Sequence, residues 1–262
     1  MSKAFRFIYG PVYSWRLGRS LGVDPLSQAD KVCNMDCIYC QLGREPNLTS
    51  IRKVYVSVDE IMEEIKQIPS DQIDYVTFSG NGEPTLAANL GDMIRVIKSS
   101  YNKKVAVITN SVLIYLEDVQ QDLARADFVL AKLDAGNQKD FVAINGNVDI
   151  SFEKVLEGIK AFRKKYQGKL ALQVMITPEN FDKLESIAQV AQELQADEVQ
   201  LNTPLRSCPV KPIDVEQMQK AKEFFINLPV TTVFDTHPKE NIQPFDEKAT
   251  VNRHGKSRKL VS

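Results

Sequence analysis

Apolar residues recur along this 262-residue chain in two rhythms. Short continuous runs have the length and the β-branched and aromatic content of buried strands: Tyr75–Phe78, Val105–Ile108, Phe128–Leu133, Leu170–Ile176 and Glu198–Leu201. Between them apolar residues fall at helical spacing. Ile61, Ile65 and Ile68 share one face, as do Leu90, Ile94 and Ile97. The segments Leu116–Leu123, Phe152–Phe162, Leu184–Leu194 and Val215–Phe225 read the same way. Asp59 and Asp182 stand where helix caps are expected. With a first strand near Leu21–Asp24 the pattern makes six βα units, which implies a parallel sheet. A complete eightfold barrel takes about 250 residues, and here both ends lie outside the pattern. The expected fold is α/β: a partial (β/α)6 TIM-type barrel over residues 1–230, with a short N-terminal lead and a C-terminal extension over 231–262. An open, doubly wound sheet is the alternative.

Composition changes this picture little. Hydrophobic residues make up 43% and charged residues 26%, which is ordinary for a globular chain. Lys plus Arg is 33 against 34 for Asp plus Glu, giving a net charge of -1 and excluding a globally basic nucleic-acid wrapper. The basic tail residues Arg253, Lys256, Arg258 and Lys259 are expected to form a mobile end, and only secondarily a patch for polyanions. No apolar run approaches the ~18 residues of a membrane helix, and residues 1–9 lack a signal-peptide core. No membrane partner and a cytoplasmic location are therefore expected.

The cysteines carry the chemistry. Of four, Cys33, Cys37 and Cys40 lie within eight residues, and Cys208 stands apart. A disulfide framework is not built that way, so these are reduced thiols that bind something. A structural zinc site needs four protein ligands, and only His237, His254 or Cys208 is on hand as a fourth. A [4Fe–4S] cluster held by three thiolates instead leaves one iron open for reaction. The C-x3-C-x2-C spacing, with the aromatic Tyr39 just before the third cysteine, resembles the signature of the radical S-adenosylmethionine (SAM) superfamily.

The strand ends fit this resemblance. After Tyr75–Phe78 comes Ser79-Gly80-Asn81-Gly82-Glu83-Pro84, where the glycines admit a close ligand. Pro84 extends Glu83 and leaves its carboxylate and nearby carbonyls to accept from an ammonium group. The turn resembles the superfamily's G-G-E-P element, which holds the amino group of SAM, with Asn81 in place of the first glycine. By the same resemblance, Thr109, Asn110 and Ser111 lie where ribose and carboxylate are contacted, and Met175 and Asn202 flank the adenine. Lys132 and Asp134 fall on one face of their strand, aimed into the barrel mouth as catalytic candidates. The resemblance covers roughly residues 32–206.

What the resemblance implies is reductive cleavage of SAM at a [4Fe–4S] cluster. The resulting 5′-deoxyadenosyl radical takes hydrogen from a substrate that the sequence does not identify. RNA, peptide or protein substrates suit a partly open barrel, and a one-electron donor such as flavodoxin or ferredoxin is implied. Residues 9–12 and 16–24 look like the branch that includes the wyosine-forming tRNA enzymes. Those enzymes use a second cluster, bound by cysteines upstream, and no cysteine precedes Cys33 here, so wyosine synthesis is not implied. Arg16 and Arg19 either meet phosphate or carboxylate or pair with acids on the barrel. Cys208 is read as a packing residue, and a substrate-side thiol is the other possibility. The competing reading of the whole chain is a zinc-stapled nucleic-acid-binding module using the cysteine loop and the basic tail.

Overall fold

The computed structural model describes residues 4–44, 48–146, 149–235 and 242–254. A single sheet of eight strands runs in chain order. β1 (Ile8–Ser14) and β2 (Gly18–Val23) form an antiparallel hairpin. From β2 onward every pairing is parallel, through β3 (Tyr75–Phe78), β4 (Lys104–Thr109), β5 (Phe128–Lys132), β6 (Lys169–Met175), β7 (Glu198–Asn202) and β8 (Val230–Thr232). The crossovers carry α1 (Val58–Ile65), α2 (Leu90–Tyr101), α3 (Glu117–Leu123), α4 (Gln138–Asn145), α5 (Phe152–Lys165), α6 (Leu184–Leu194) and α7 (Val215–Glu223), and α8 (Glu247–His254) follows β8. From β2 to α7 the chain makes the six βα units that its periodicity predicts, and the sheet is a curled, incomplete barrel of the TIM type.

The two faces of the sheet differ in chemistry. Outward residues such as Val76, Phe78, Val105, Val107, Leu170, Leu172, Val199 and Leu201 join Ile61, Ile65, Leu90, Ile94 and Ile97 in one continuous core. Inward, a separate small group of Leu17, Ala106, Phe128, Leu130 and Ala171 packs near the strand N-termini and floors the barrel. Toward the strand C-termini the inward positions turn polar. The Ser20 and Thr77 hydroxyls share a 2.7 Å hydrogen bond, and Gln173, Gln200 and Asn202 are buried. Strands of a parallel sheet covered on both faces are normally apolar throughout. The polar inner layer thus marks a lumen above an apolar floor.

The structure departs from the sequence reading at several places. β1 was hidden by Gly10 and Pro11, which interrupt its run, and its register shifts between Tyr9 and Val12. α4 buries only Phe141, Ile144 and Asn145, too little for a clear amphipathic signal. β8 is three residues long, and the expected division at 230/231 falls within it. The cap of α1 is Ser57, whose hydroxyl and Glu60 form a reciprocal capping box, while Asp59 lies in the first turn. Asp182 sits in a 3-10 turn ahead of α6, and that helix has no side-chain cap. Arg253 is not part of a mobile tail. Its Nε lies 3.3 Å from the buried Asp24 Oδ2, and its side chain is 11% exposed. His237, Lys256, Arg258 and Lys259, and the side chain of His254, lie outside the described residues. Among the described residues no helix is long and apolar enough to cross a membrane.

Glu64 of α1 fastens the leading edge of the sheet. Its buried carboxylate accepts from the backbone N–H groups of Arg6, Phe7 and Ile8 at 2.8, 2.9 and 3.1 Å. Glu64→Ala leaves these donors without their acceptor and is expected to lower stability by about 2–4 kcal/mol, measured by chemical denaturation.

Candidate functional site

The cysteine loop lies in the long connection between β2 and α1 and is seated from two sides. On one side Val32 N–H donates to the Asn81 carbonyl at 2.9 Å, and Glu83 N–H donates to the Val32 carbonyl at 3.0 Å. This one-rung parallel bridge sets Val32 opposite Gly82. Gly82 has φ +158°, and a Cβ there would fall 1.7 Å from the Val32 carbonyl oxygen. Gly80 has φ +136°, and a Cβ would meet the Asp24 carboxylate at 2.6 Å. These glycines make room for the protein's own chain. On the other side Asp36 and Ile38 donate to the carbonyls of Asn145 and Ile144, both at 3.0 Å. Gly146 ends α4 in the left-handed conformation that lets it pass Asp36 closely.

Amides point at the thiols. Asn145 Nδ2 lies 3.4 Å from Cys37 Sγ, and Asn110 Nδ2 lies 3.7 Å from Cys33 Sγ and 2.6 Å from Asn34 Oδ1. Burial, and after it the Glu83 carboxylate, pushes the Cys33 thiol up to about 12, and burial raises Cys37 as well. Such thiols stay protonated until a metal displaces the proton. Among the described residues no three metal-ligating side chains group tightly enough for one ion. In an iron–sulfur cubane each thiolate takes its own iron, so wider separation suits it better than it suits a single zinc.

Glu83 does not offer a free carboxylate. Oε1 accepts from Thr85 N–H at 3.0 Å and from the Thr85 and Thr109 hydroxyls at 2.7 Å each, and Oε2 accepts from Asn110 N–H at 2.7 Å. The group is buried, burial raises its pKa, and the four donors oppose that rise. Its role is to tie the glycine turn after β3 to the end of β4. Thr109 also accepts from Ser111 N–H at 3.1 Å, and Ser111, at φ +72°, reaches the Lys132 carbonyl at 3.3 Å.

Asp134 is likewise held by several donors. Oδ1 accepts from Met175 N–H at 2.8 Å. Oδ2 accepts from the Tyr39 hydroxyl and, at 3.0 Å, from Asn145 Nδ2. Its side chain has no exposure, and it holds the Tyr39 hydroxyl. Lys132 does share its face, as alternation predicted. The Nζ lies 3.8 Å from Asp134 Oδ2 and 4.5 Å from the centroid of the Tyr39 ring, above it.

Two cavities open beside the loop. One of about 330 Å³ is lined by Tyr39, Cys40, Met175 and Asn202, together with Trp15, Arg16 and Arg206. The other, of about 270 Å³, is the lumen lined by Thr77, Ser79, Gly80 and Gln173, and it shares Arg16, Asn202 and Arg206 with the first. The structure thus brings Tyr39, Cys40, Met175 and Asn202 to one chamber and Gly80 to the next. Asn110, Lys132 and Asp134 stand behind the loop with Asn145 around a small closed space. Cys208 is half-buried with its thiol 3.4 Å from the Val210 carbonyl, and it packs beside Tyr39 and Ile144. Asn145 and Asp24 escaped the sequence reading. The Asn-Gly pair at 145–146, a helix-end signal, pointed to the first.

A model of the radical SAM superfamily matches residues 31–191. The chain belongs to the radical SAM superfamily. UPF0026 proteins resemble it along most of their length. That of Synechocystis sp. is 36% identical over 80% of this chain and 80% of its own, and that of Methanocaldococcus jannaschii is 37% identical over 83% and 70%. GTPase Obg of Brachyspira hyodysenteriae is 38% identical over 94% of this chain, but the chain spans only 38% of that protein's length. The solved structure of TYW1 with a lysine-pyruvate adduct bound superposes with TM-score 0.65 at 15% identity, covering 81% of this chain and 76% of that one. A radical SAM methyltransferase from Sphaerobacter thermophilus gives TM-score 0.65 at 14% identity, covering 81% and 65%.

The cofactors of this radical SAM protein are a [4Fe–4S] cluster and SAM. The residues present fit them: three thiols on one seated loop, amide donors beside two of the sulfurs, and a chamber at the third. The zinc-stapled nucleic-acid module is not favoured. Its basic tail loses Arg253 to Asp24.

Gly82→Ala pushes Val32 off the turn and is expected to lower iron incorporation on anaerobic reconstitution severalfold, read as iron per chain. Asn145→Ala is expected to retain iron and shift the cluster's reduction potential to a more negative value, read by redox titration, because a donor to the Cys37 sulfur is lost.

Proposed function

We propose that this protein reductively cleaves SAM to start hydrogen abstraction from a substrate bound in the barrel lumen. The observation that carries the reading is the seating of the loop that bears Cys33, Cys37 and Cys40, with Cys40 lining a chamber that shares Arg16, Asn202 and Arg206 with a polar lumen. When bound, the cluster and SAM supply one-electron scission of a sulfur–carbon bond and a 5′-deoxyadenosyl radical. The chain does the rest. Cys33, Cys37 and Cys40 would hold the cluster, which would supply a coordination position for SAM. The backbone of Gly80, Asn81 and Gly82, kept in shape by Glu83, receives the methionine end. Thr109 and Asn110 hold Glu83 in place, and by the family resemblance they and Ser111 would lie toward the ribose and carboxylate, with Lys132 toward a carboxylate. Tyr39, Met175 and Asn202 border the adenine. The apolar floor under the lumen keeps water from entering from below, which protects a reactive species from side reactions.

A one-electron donor such as flavodoxin or ferredoxin supplies the electron, and the working compartment is the cytoplasm. RNA, peptide and protein substrates suit a barrel open along one side. The relatives named probable GTP 3′,8-cyclase, such as that of Sulfurisphaera tokodaii at 32% identity over 71% of this chain, keep a small nucleotide among the substrates to be tried.

Anaerobically reconstituted protein given SAM and dithionite is expected to be brown and to release 5′-deoxyadenosine and methionine. Cys37→Ala abolishes both the colour and the release. Brown wild-type protein that releases no 5′-deoxyadenosine would refute the reading in favour of a plain electron relay.

A further inference from the structure

The C-terminal helix reaches the cofactor site. α8 is moored to β1 at its start. Asp246 accepts from Ala249 N–H at 2.8 Å and from Phe5 N–H at 2.9 Å, and the Thr250 hydroxyl accepts from Gly10 N–H at 2.9 Å. Its last turn carries Arg253 to the lumen, where that side chain and Gly80 line the same cavity. The Arg253 carbonyl accepts from Gln41 Nε2 at 3.4 Å, one residue past Cys40.

The Arg253 guanidinium is spent behind the glycine turn. Its Nε lies 3.3 Å from Asp24 Oδ2, and its Nη2 donates to the Ser27 hydroxyl at 3.1 Å and to the Arg6 carbonyl. Asp24 directly follows β2 and is fully buried. Its Oδ1 accepts from Leu26 N–H at 3.1 Å and from Ser27 N–H at 3.0 Å, and its Oδ2 accepts from Asn81 N–H at 3.3 Å. The same carboxylate occupies the space that a Gly80 side chain would need. One buried anion thus supports two consecutive residues of the turn, and Arg253 is the cation set against it. A carboxylate without exposure keeps its charge and its place only with such a partner. Asp24 and Arg253 both lie outside the residues 31–191 that the superfamily model matches, so this brace comes from the flanks of the matched region.

We propose that Arg253 is a positioning residue for SAM. Through Asp24 it holds Gly80 and Asn81 in the shape that receives the methionine end of the cofactor, and α8 is thereby part of the cofactor site. The proposal deepens the radical SAM reading and rests on it for the ligand of that turn. Removing the guanidinium loosens residues 79–82. The cysteine loop stays seated, because Glu83 keeps its own four donors and Asp36 and Ile38 remain on α4.

Two readouts on the anaerobically reconstituted chain test this. Amide hydrogen exchange, taken without SAM, is expected to speed up severalfold across residues 79–82 in Arg253→Gln. Equilibrium dialysis is expected to show SAM bound roughly 10-fold more weakly, the size of losing a residue that orients a binding group, with iron per chain retained. Arg253→Lys keeps a cation against Asp24 and is expected to recover most of the SAM affinity. Glu64→Ala lowers stability at the other side of β1 and is expected to change neither readout. Should Arg253→Gln not fold, the double variant Asp24→Asn with Arg253→Gln leaves no buried charge and is expected to show the same two effects. Exchange at the wild-type rate overturns the proposal. So does an Arg253→Lys that binds SAM as weakly as Arg253→Gln, which would move the effect to the Arg6 and Ser27 contacts. Loss of iron together with SAM would make Arg253 a brace for the fold at large and overturn it as well. A wild type that binds no SAM overturns the radical SAM reading; a wild type that binds it, with Arg253→Gln binding equally well, overturns only the role given to Arg253.

Discussion

The functional end of this protein depends on how a loop rich in thiols is held. Cysteines can converge on a cluster only if the backbone that carries them has one shape, and an irregular loop pays the full conformational entropy of being fixed. Here two short backbone pairings fix it. Val32 adds a rung beside the turn after β3, and Asp36 and Ile38 pair with the end of α4. Both pairings need a residue without a side chain, Gly82 on one side and Gly146 on the other. The two elements come from different βα units, so the loop is seated only once the barrel has formed. Fold and cofactor site are therefore one cooperative structure.

Buried carboxylates do the fastening, and each works by gathering donors from elements distant in sequence. Glu83 joins the turn after β3 to the end of β4. Asp134 joins β6 to the cysteine loop through Met175 and Tyr39. Asp24 joins the glycine turn to α8 through Asn81 and Arg253. A buried carboxylate without partners is expensive, and with three or four strong donors it becomes a rigid node. That is why residues which look reactive by type turn out to be braces. Acids at strand ends are read as catalysts because barrels place chemistry there, yet the same ends are where loops most need anchoring.

The helices and parallel strands were legible in the sequence because each buries one face, and the spacing of Ile61, Ile65 and Ile68 or of Leu90, Ile94 and Ile97 reports that face directly. The cysteine spacing was legible because three ligands on one loop leave little freedom. What escaped was held by few residues or by long-range pairing. β1 depends on Glu64 and on α8, neither of which its own sequence announces. α4 is short and mostly polar, and its value lies in Asn145, whose amide reaches Cys37, Tyr39 and Asp134 together. The distant donors gathered by Glu83 and Asp134 could not be read either, since Thr109, Asn110, Tyr39 and Met175 lie tens of residues away. Arg16 and Arg19 show the limit plainly. Three residues apart and alike in sequence context, one finds Asp74 at the surface and the other faces the lumen.

The lumen itself links these points. Its inward positions carry Thr77, Gln173, Gln200 and Asn202 where packing alone would favour Val or Leu. Gln200 Oε1, Asn202 Oδ1, Trp15 Nε1 and two nitrogens of Arg16 are buried there without partners among the described residues. Polar atoms of this kind are rare in a folded interior, and those near the lumen are groups that a ligand can complete. The apolar floor of Leu17, Phe128 and Leu130 closes the other end. A ligand that enters past the cysteine loop rests between a polar wall and an apolar floor.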